Sequence, residues 1–188
     1  LIGLAVFAVL IALGLPSITE FLQNSQIRGA ADSTLSGIQL ARAEALRRNT
    51  SVRFQLMSSL DGSCVRSATG TNWVVSLDDA AGSCDSAPDE TVAPRIIQIR
   101  SGDDGSSNAV ITASGGAGDT NLLVFNGLGR LLVTNADAFT TVDVTNPTGG
   151  TCQASGGTMR CLRLTVSPNG DVRMCDPKIT VATDSRKC

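Results

Sequence analysis

The sequence predicts an α+β protein: a long N-terminal helix with an antiparallel β-sheet or β-sandwich head packed on its C-terminal half. Three observations carry this. The first 49 residues hold a helical pattern interrupted only by Pro16. The rest of the chain falls into short apolar or alternating runs separated by turn residues. Six cysteines are spread through that second part with no C-x-x-C pair among them.

The helix has two halves with different surroundings. Leu1 to Thr19 (LIGLAVFAVLIALGLPSIT) carries no charge. At about 1.5 Å per residue it would reach roughly 28 Å, close to the ~30 Å of a hydrocarbon core. Leu1, Ile2, Leu4, Val6, Phe7 and Val9 are therefore expected in lipid or something as apolar, and so are Leu10, Ile11, Leu13, Leu15 and Pro16. A cleaved signal peptide would be shorter and end in a small-residue site, which LGLPS matches poorly. A buried core helix is the other alternative, but a chain with 3% aromatic residues has little in which to bury it. Pro16 is expected to kink the rod, because membrane helices tolerate proline.

From Glu20 the pattern turns polar and stays helical. Ile27, Ala31, Leu35, Ile38, Ala41 and Ala45 recur at spacings of three and four, which puts them on one face. Gln23, Asp32, Gln39 and Arg47 are expected to turn elsewhere. The buried face is made of small and medium residues, so another layer can approach closely. Asn49-Thr50 is the expected stop, because β-branched strand formers begin there. The organisation is thus 1–19 as the apolar half of the helix, 20–49 as its amphipathic half, and 50–188 as the head.

In the head, Thr50–Met57 alternates Val52, Phe54 and Leu56 against Ser51, Arg53 and Gln55, the pattern of a half-buried strand. Asn72–Leu77, Arg95–Arg100, Asn108–Ala113, Thr140–Thr145, Arg160–Val166 and Asp171–Met174 are the other expected strands. Leu122–Asn126 and Arg130–Val133 flank Gly127-Leu128-Gly129 and read as a hairpin. Segments 78–90, 101–107, 114–120 and 167–170 are rich in turn formers. Trp73, amid strand residues, is expected in the core.

Composition excludes much chemistry. The 188 residues include no histidine and no tyrosine, so the commonest general base and metal ligand are missing. Serines and carboxylates abound, yet no base is placed to activate a nucleophile, so no enzyme, catalytic residue, metal or cofactor is expected. Gly127-Leu128-Gly129-Arg130 lacks the third glycine and the following helix of a dinucleotide loop. Asp103-Asp104 does not fit the EF-hand spacing, and Asn49-Thr50-Ser51 lies at a helix–strand junction unsuited to a glycosylation sequon. Charge is uneven: residues 61–150 hold eleven acids and four arginines, residues 151–188 six cations and three acids.

Cys64, Cys84, Cys152, Cys161, Cys175 and Cys188 make an even set behind an apolar segment, which points to disulfides in an oxidising compartment. Fifteen connectivities are open, of which nearest-neighbour pairing is the simplest.

The proline-bearing helix, ARAEALRRN at its end, FNGLGR, and SPNGDVRMCDP followed by a final cysteine together resemble the GspH/FimT group. These are type IV pilus minor pilins of the FimU/FimT kind and the related type II secretion pseudopilin. The resemblance covers nearly the whole chain, best in residues 8–54 and 160–188. It implies a protruding helix with a β head, held in the bacterial inner membrane with the head in the periplasm. The subunit is then drawn into a pilus or periplasmic pseudopilus whose core is bundled N-terminal helices. Partners implied are other pilins, through helix bundling and head contacts. A tip or priming role in a pilus is the expectation, with a secretion pseudopilin as the alternative.

Two positions depart from the family pattern. Mature chains of the group open on a Phe-Thr-Leu-Ile-Glu-like run, whereas no acid precedes Glu20 here. Aligned on Pro16 the chain starts a few residues late, as a truncated one would; aligned on Leu1-Ile2, Gly3 stands where the acid would be. Some FimT-like pilins carry a Gly-Arg-x-Arg motif that contacts DNA phosphates. Gly170 and Arg173 match it, but Asp171 replaces the first arginine and opposes phosphate. Arg173, Lys178, Arg186 and Lys187 are the candidate DNA contacts, with a structural tail the preferred alternative.

Overall fold

A computed structural model describes residues 2–116, 121–132 and 138–188 and, within the helix, side chains from Ile18 onward. Helix α1 spans Ile2–Arg48 without interruption at Pro16. It ends because Asn49 turns into the left-handed region (φ 49°). The Thr50 N–H then bonds back to the Ala45 carbonyl and the Asn49 N–H to that of Leu46, both at 3.3 Å. This is a Schellman closure with asparagine in the place glycine usually takes.

Eight strands follow: β1 Val52–Met57, β2 Asn72–Ser76, β3 Ile96–Arg100, β4 Val110–Ser114, β5 Leu122–Phe125, β6 Thr141–Thr145, β7 Leu162–Val166 and β8 Val172–Cys175. They form two antiparallel four-stranded sheets, ordered β3-β2-β1-β5 and β4-β6-β7-β8. Both sheets contact α1. One core cluster joins Ile27, Ala31, Ile38, Ala41 and Ala45 of the helix to Phe54, Phe125, Val142, Val144 and Leu164. The small residues of the helix decide the spacing. A Cβ on Gly37 would stand 2.7 Å from Phe54 Cε2 and 3.0 Å from the Trp73 indole. Trp73 is buried, its ring 5.7 Å from that of Phe54, and its Nε1–H donates to Ser33 Oγ at 3.1 Å.

Several expectations need correction. Gln55 was assigned to the solvent side of its strand but is fully buried. The loop closed by Cys64–Cys84 covers that side, and a second cluster of Met57, Val74, Ala80 and Ile96 forms beneath it. Gln55 is tolerated because its Nε2 donates to Ser76 Oγ at 2.8 Å and its Oε1 accepts from the Ala80 N–H at 3.4 Å. Gln23 does not turn away from the head: it is half-buried, and its Oε1 would stand 2.7 Å from a Cβ at Gly149. The Asn126–Gly129 turn is present, with Gly129 N–H donating to Asn126 O at 2.8 Å. Its second arm pairs back on the first, the Asn126 N–H donating to the Arg130 carbonyl and the Leu132 N–H to the Val124 carbonyl, both at 2.9 Å, and Val133 lies outside the described residues. Residues 117–120 of the 114–120 turn segment also lie outside.

Candidate assembly surfaces

The head is fastened to the helix over a defined length. Near the lower end, Asn146 Nδ2 donates to Gln26 Oε1 at 3.1 Å, and the Arg160 N–H donates to Asn24 Oδ1 at 2.7 Å. Midway, Arg42 donates through Nε to the Gly129 carbonyl at 3.1 Å and through Nη1 to Asp171 at 2.6 Å. At the upper end Arg48 reaches Glu44 and Glu90, each at 2.7 Å. The Arg47 hydrogen bond, then that of Arg48, holds the Glu44 carboxyl below its ordinary range against the opposing effect of burial.

Below the lowest fastening the helix shows apolar side chains to solvent: Ile18, Phe21 and Leu22 are 56%, 72% and 55% exposed. Water-facing residues of that size on consecutive turns leave an apolar surface with no cover from the head. The sequence-assigned apolar half stopped at Thr19, so Phe21 and Leu22 extend it. Their signal was present as two large apolar residues directly after Glu20 and was hidden by that charge. The side chains of Leu1, Ile2, Leu4, Val6, Phe7, Val9, Leu10, Ile11, Leu13, Leu15 and Pro16 lie outside the described residues. Among the described residues, no helix is long and apolar enough to cross a membrane.

The six cysteines form Cys64–Cys84, Cys152–Cys161 and Cys175–Cys188, nearest neighbours in the chain. The first closes the loop over the second core cluster. The second closes the turn between β6 and β7. The third ties the end of the chain back to the end of β8, next to a backbone bridge that pairs Asp176 with Lys187.

The four candidate DNA contacts differ in what engages them. Arg173 is exposed on β8, the last strand of its sheet. Lys178 Nζ donates to Gln153 Oε1 at 3.0 Å. Arg186 is committed to Asp184 through two nitrogens at 3.1 and 2.8 Å, which holds the Asp184 carboxyl down to about 2. Lys187 is half-buried. Asp171, the residue that breaks the phosphate motif, lies in the ion pair with Arg42. Among the described residues no cluster of histidine, cysteine or carboxylate is arranged to hold a metal ion.

A groove of about 510 Å³ opens between the lower helix and the tail. Phe21, Leu162 and Met174 supply its apolar floor, and Arg28, Arg160 and Arg186 stand around it. Arg160 Nε is held at 3.0 Å by the buried Asp176 carboxylate.

The family model described as "Type II transport protein GspH" matches residues 30–170. Two crystal forms of the Pseudomonas aeruginosa type IV minor pilin FimU are similar in structure. One is 15% identical, with a TM-score of 0.51, covering 82% of this chain and 91% of that one. The other is 14% identical, with a TM-score of 0.49, covering 78% and 90%. No curated protein matches in sequence. At such identity the likeness to the first form is one of fold: a long helix at the start of the chain and antiparallel sheets packed on it.

Proposed function

This chain belongs to the GspH family, a family of pilin-like structural subunits, and from that premise we propose that it is a minor pilin of a type IV pilus, placed in the tip or priming complex. The observation that carries this is the exposed apolar stretch Ile18, Phe21 and Leu22, directly below the head–helix hydrogen bonds at Gln23 and Asn24. A helix with an apolar surface left bare by its own domain is built to be covered by something else. In the proposed role, 1–19 sits in the inner membrane and then packs against equivalent helices of the filament. Residues 20–49 bridge to the head, and 50–188 present loops and strand edges to the next pilin in the periplasm and beyond. No catalytic group is assigned.

Cross-linking in membranes of a piliated host, followed by capture of the full chain, tests the assignment. Recovery of major or minor pilins joined through residues 1–22 is the expected result. Recovery of no pilin and no secretion-system component would overturn it, and recovery of secretion components alone would favour the pseudopilin alternative. The three disulfides suit an oxidising compartment, which the periplasm and the cell exterior both are. A DNA-uptake role is weaker, because Asp171 places a carboxylate in the motif and two of the four candidate cations are engaged with neighbours.

A further inference from the structure

Resting on the proposed seating of 1–19 in the inner membrane, we propose that the underside of the head, built from segment 147–160 and tail 176–188, lies on the headgroups of an anionic lipid leaflet while the subunit waits in the bilayer. Height puts it there. Both segments are fixed to the helix just above its charge-free stretch: the Arg160 N–H reaches Asn24 Oδ1 at 2.7 Å, and Gln23 packs at Gly149. Gln23 and Asn24 stand roughly 6–8 Å above Thr19 along the helix axis. The headgroup layer on each side of a bilayer is about 5–8 Å deep. With the charge-free stretch filling the hydrocarbon, the underside meets the outer edge of that layer, and the exposed Phe21 and Leu22 lie within it.

The tail is held at the same level. Arg186 lines the groove together with Phe21, Asn24 and Ser25. Lys178 Nζ donates to Gln153 Oε1, and the Gln153 N–H in turn donates to the Met159 carbonyl beside Arg160. The charge of this face suits a leaflet. Segments 147–160 and 176–188 hold four cations and two acids. Asp176 is held by Arg160 and Asp184 by Arg186. The remaining two cations, Lys178 and Lys187, have no carboxylate partner among the described residues. Glu20 is the one acid in the helix turn that enters the leaflet. Val181, 60% exposed in the same tail, adds an apolar side chain. The bilayer is the anionic surface nearest these lysines, because the chain that carries them is anchored in it.

The test reconstitutes the full chain in vesicles of phosphatidylcholine with and without phosphatidylglycerol. A fluorescent amino acid replaces Val181, and lipids bearing a nitroxide on the headgroup act as quenchers. Strong quenching is expected with phosphatidylglycerol, weak quenching without it, and loss of quenching as salt screens the lysines. The same fluorophore in place of Leu128, which is 74% exposed in the turn that packs on Leu46 near the top of the helix, should stay unquenched throughout. Lys178→Gln together with Lys187→Gln should lower the ratio of seated to free heads by roughly 30-fold, from about 1 kcal/mol per lysine at such a surface. Unchanged Trp73 emission confirms that the double variant folds, and the salt series needs no variant. Equal quenching at 181 and 128, quenching indifferent to phosphatidylglycerol and salt, or quenching unchanged in the folded double variant would overturn the inference. A fluorophore at Ile18 with acyl-chain quenchers reads the anchor separately. Quenching at 18 without quenching at 181 refutes the contact and leaves the subunit assignment standing, whereas failure at both strikes the membrane placement of 1–19 as well.

Discussion

Gly37 allows the sheet to lie directly on the helix, and replacing it tests how the head is seated. Alanine in a helix interior is favoured over glycine by about 1 kcal/mol. Gly29→Ala should realise that gain, since nothing lies within 4 Å of the new Cβ. At Gly37 the same methyl would sit 2.7 Å from Phe54 Cε2, about 1 Å inside the normal carbon–carbon separation of ~3.5–4.0 Å. The neighbours cannot yield cheaply. Phe54 is fully buried between Trp73 and Phe139, with ring centroids 5.7 and 6.3 Å away, and Trp73 is tethered to Ser33. Overpacking of this kind costs about 1–3 kcal/mol, so the helix gain at Gly37 is cancelled or exceeded. The two variants should differ by about 1–3 kcal/mol in favour of Gly29→Ala, which for a domain of this size is roughly 2–12 °C in Tm. Thermal unfolding of the full chain in micelles, followed by far-UV circular dichroism and by the single tryptophan, measures it. If Gly37→Ala raises Tm as much as Gly29→Ala, the close helix–sheet approach is refuted.

Stability should be level from about pH 5 to 8, because no histidine is present to titrate there. It should fall below about pH 4. Asp78 is held below its ordinary range chiefly by its hydrogen bond from Arg95, Glu44 chiefly by Arg47, and Asp184 at about 2 by Arg186. A depressed carboxylate contributes stability above its unfolded pKa and loses it as pH falls through the folded one, so urea midpoints that slope between pH 5 and 8 would contradict this. Replacing Cys64 and Cys84 together by alanine should cost about 2–4 kcal/mol, read as a lower urea midpoint, since that loop also seals Met57, Val74 and Ile96. Replacing Cys175 and Cys188 together by serine should speed amide exchange in 176–188 while leaving β1 and β2 protected. Mass-spectrometric hydrogen exchange would show either this confined loosening or, against expectation, loss of protection across the head.

The helix and its buried face were legible because both are local. Spacing of three and four put Ile27, Ala31, Leu35, Ile38, Ala41 and Ala45 on one side; five are fully buried, and Leu35 is half-buried against the same core. Strand positions followed from alternation, with ends shifted by one or two residues. Gln55 was misplaced because alternation reports one covered face, and here a disulfide-closed loop from elsewhere in the chain covers the other. The Gln23 side chain meets Gly149, far along the chain, a contact that side-chain polarity cannot forecast.

The candidate surfaces divide in the same way. An uncharged N-terminal stretch, an even cysteine set and the lack of histidine are properties of composition and order, so they stand without a fold. The groove needs Phe21, Arg160 and Met174 brought together from separate segments of the chain. Periodicity carries only near-neighbour information, so which face the sheets cover was decided by long-range packing alone.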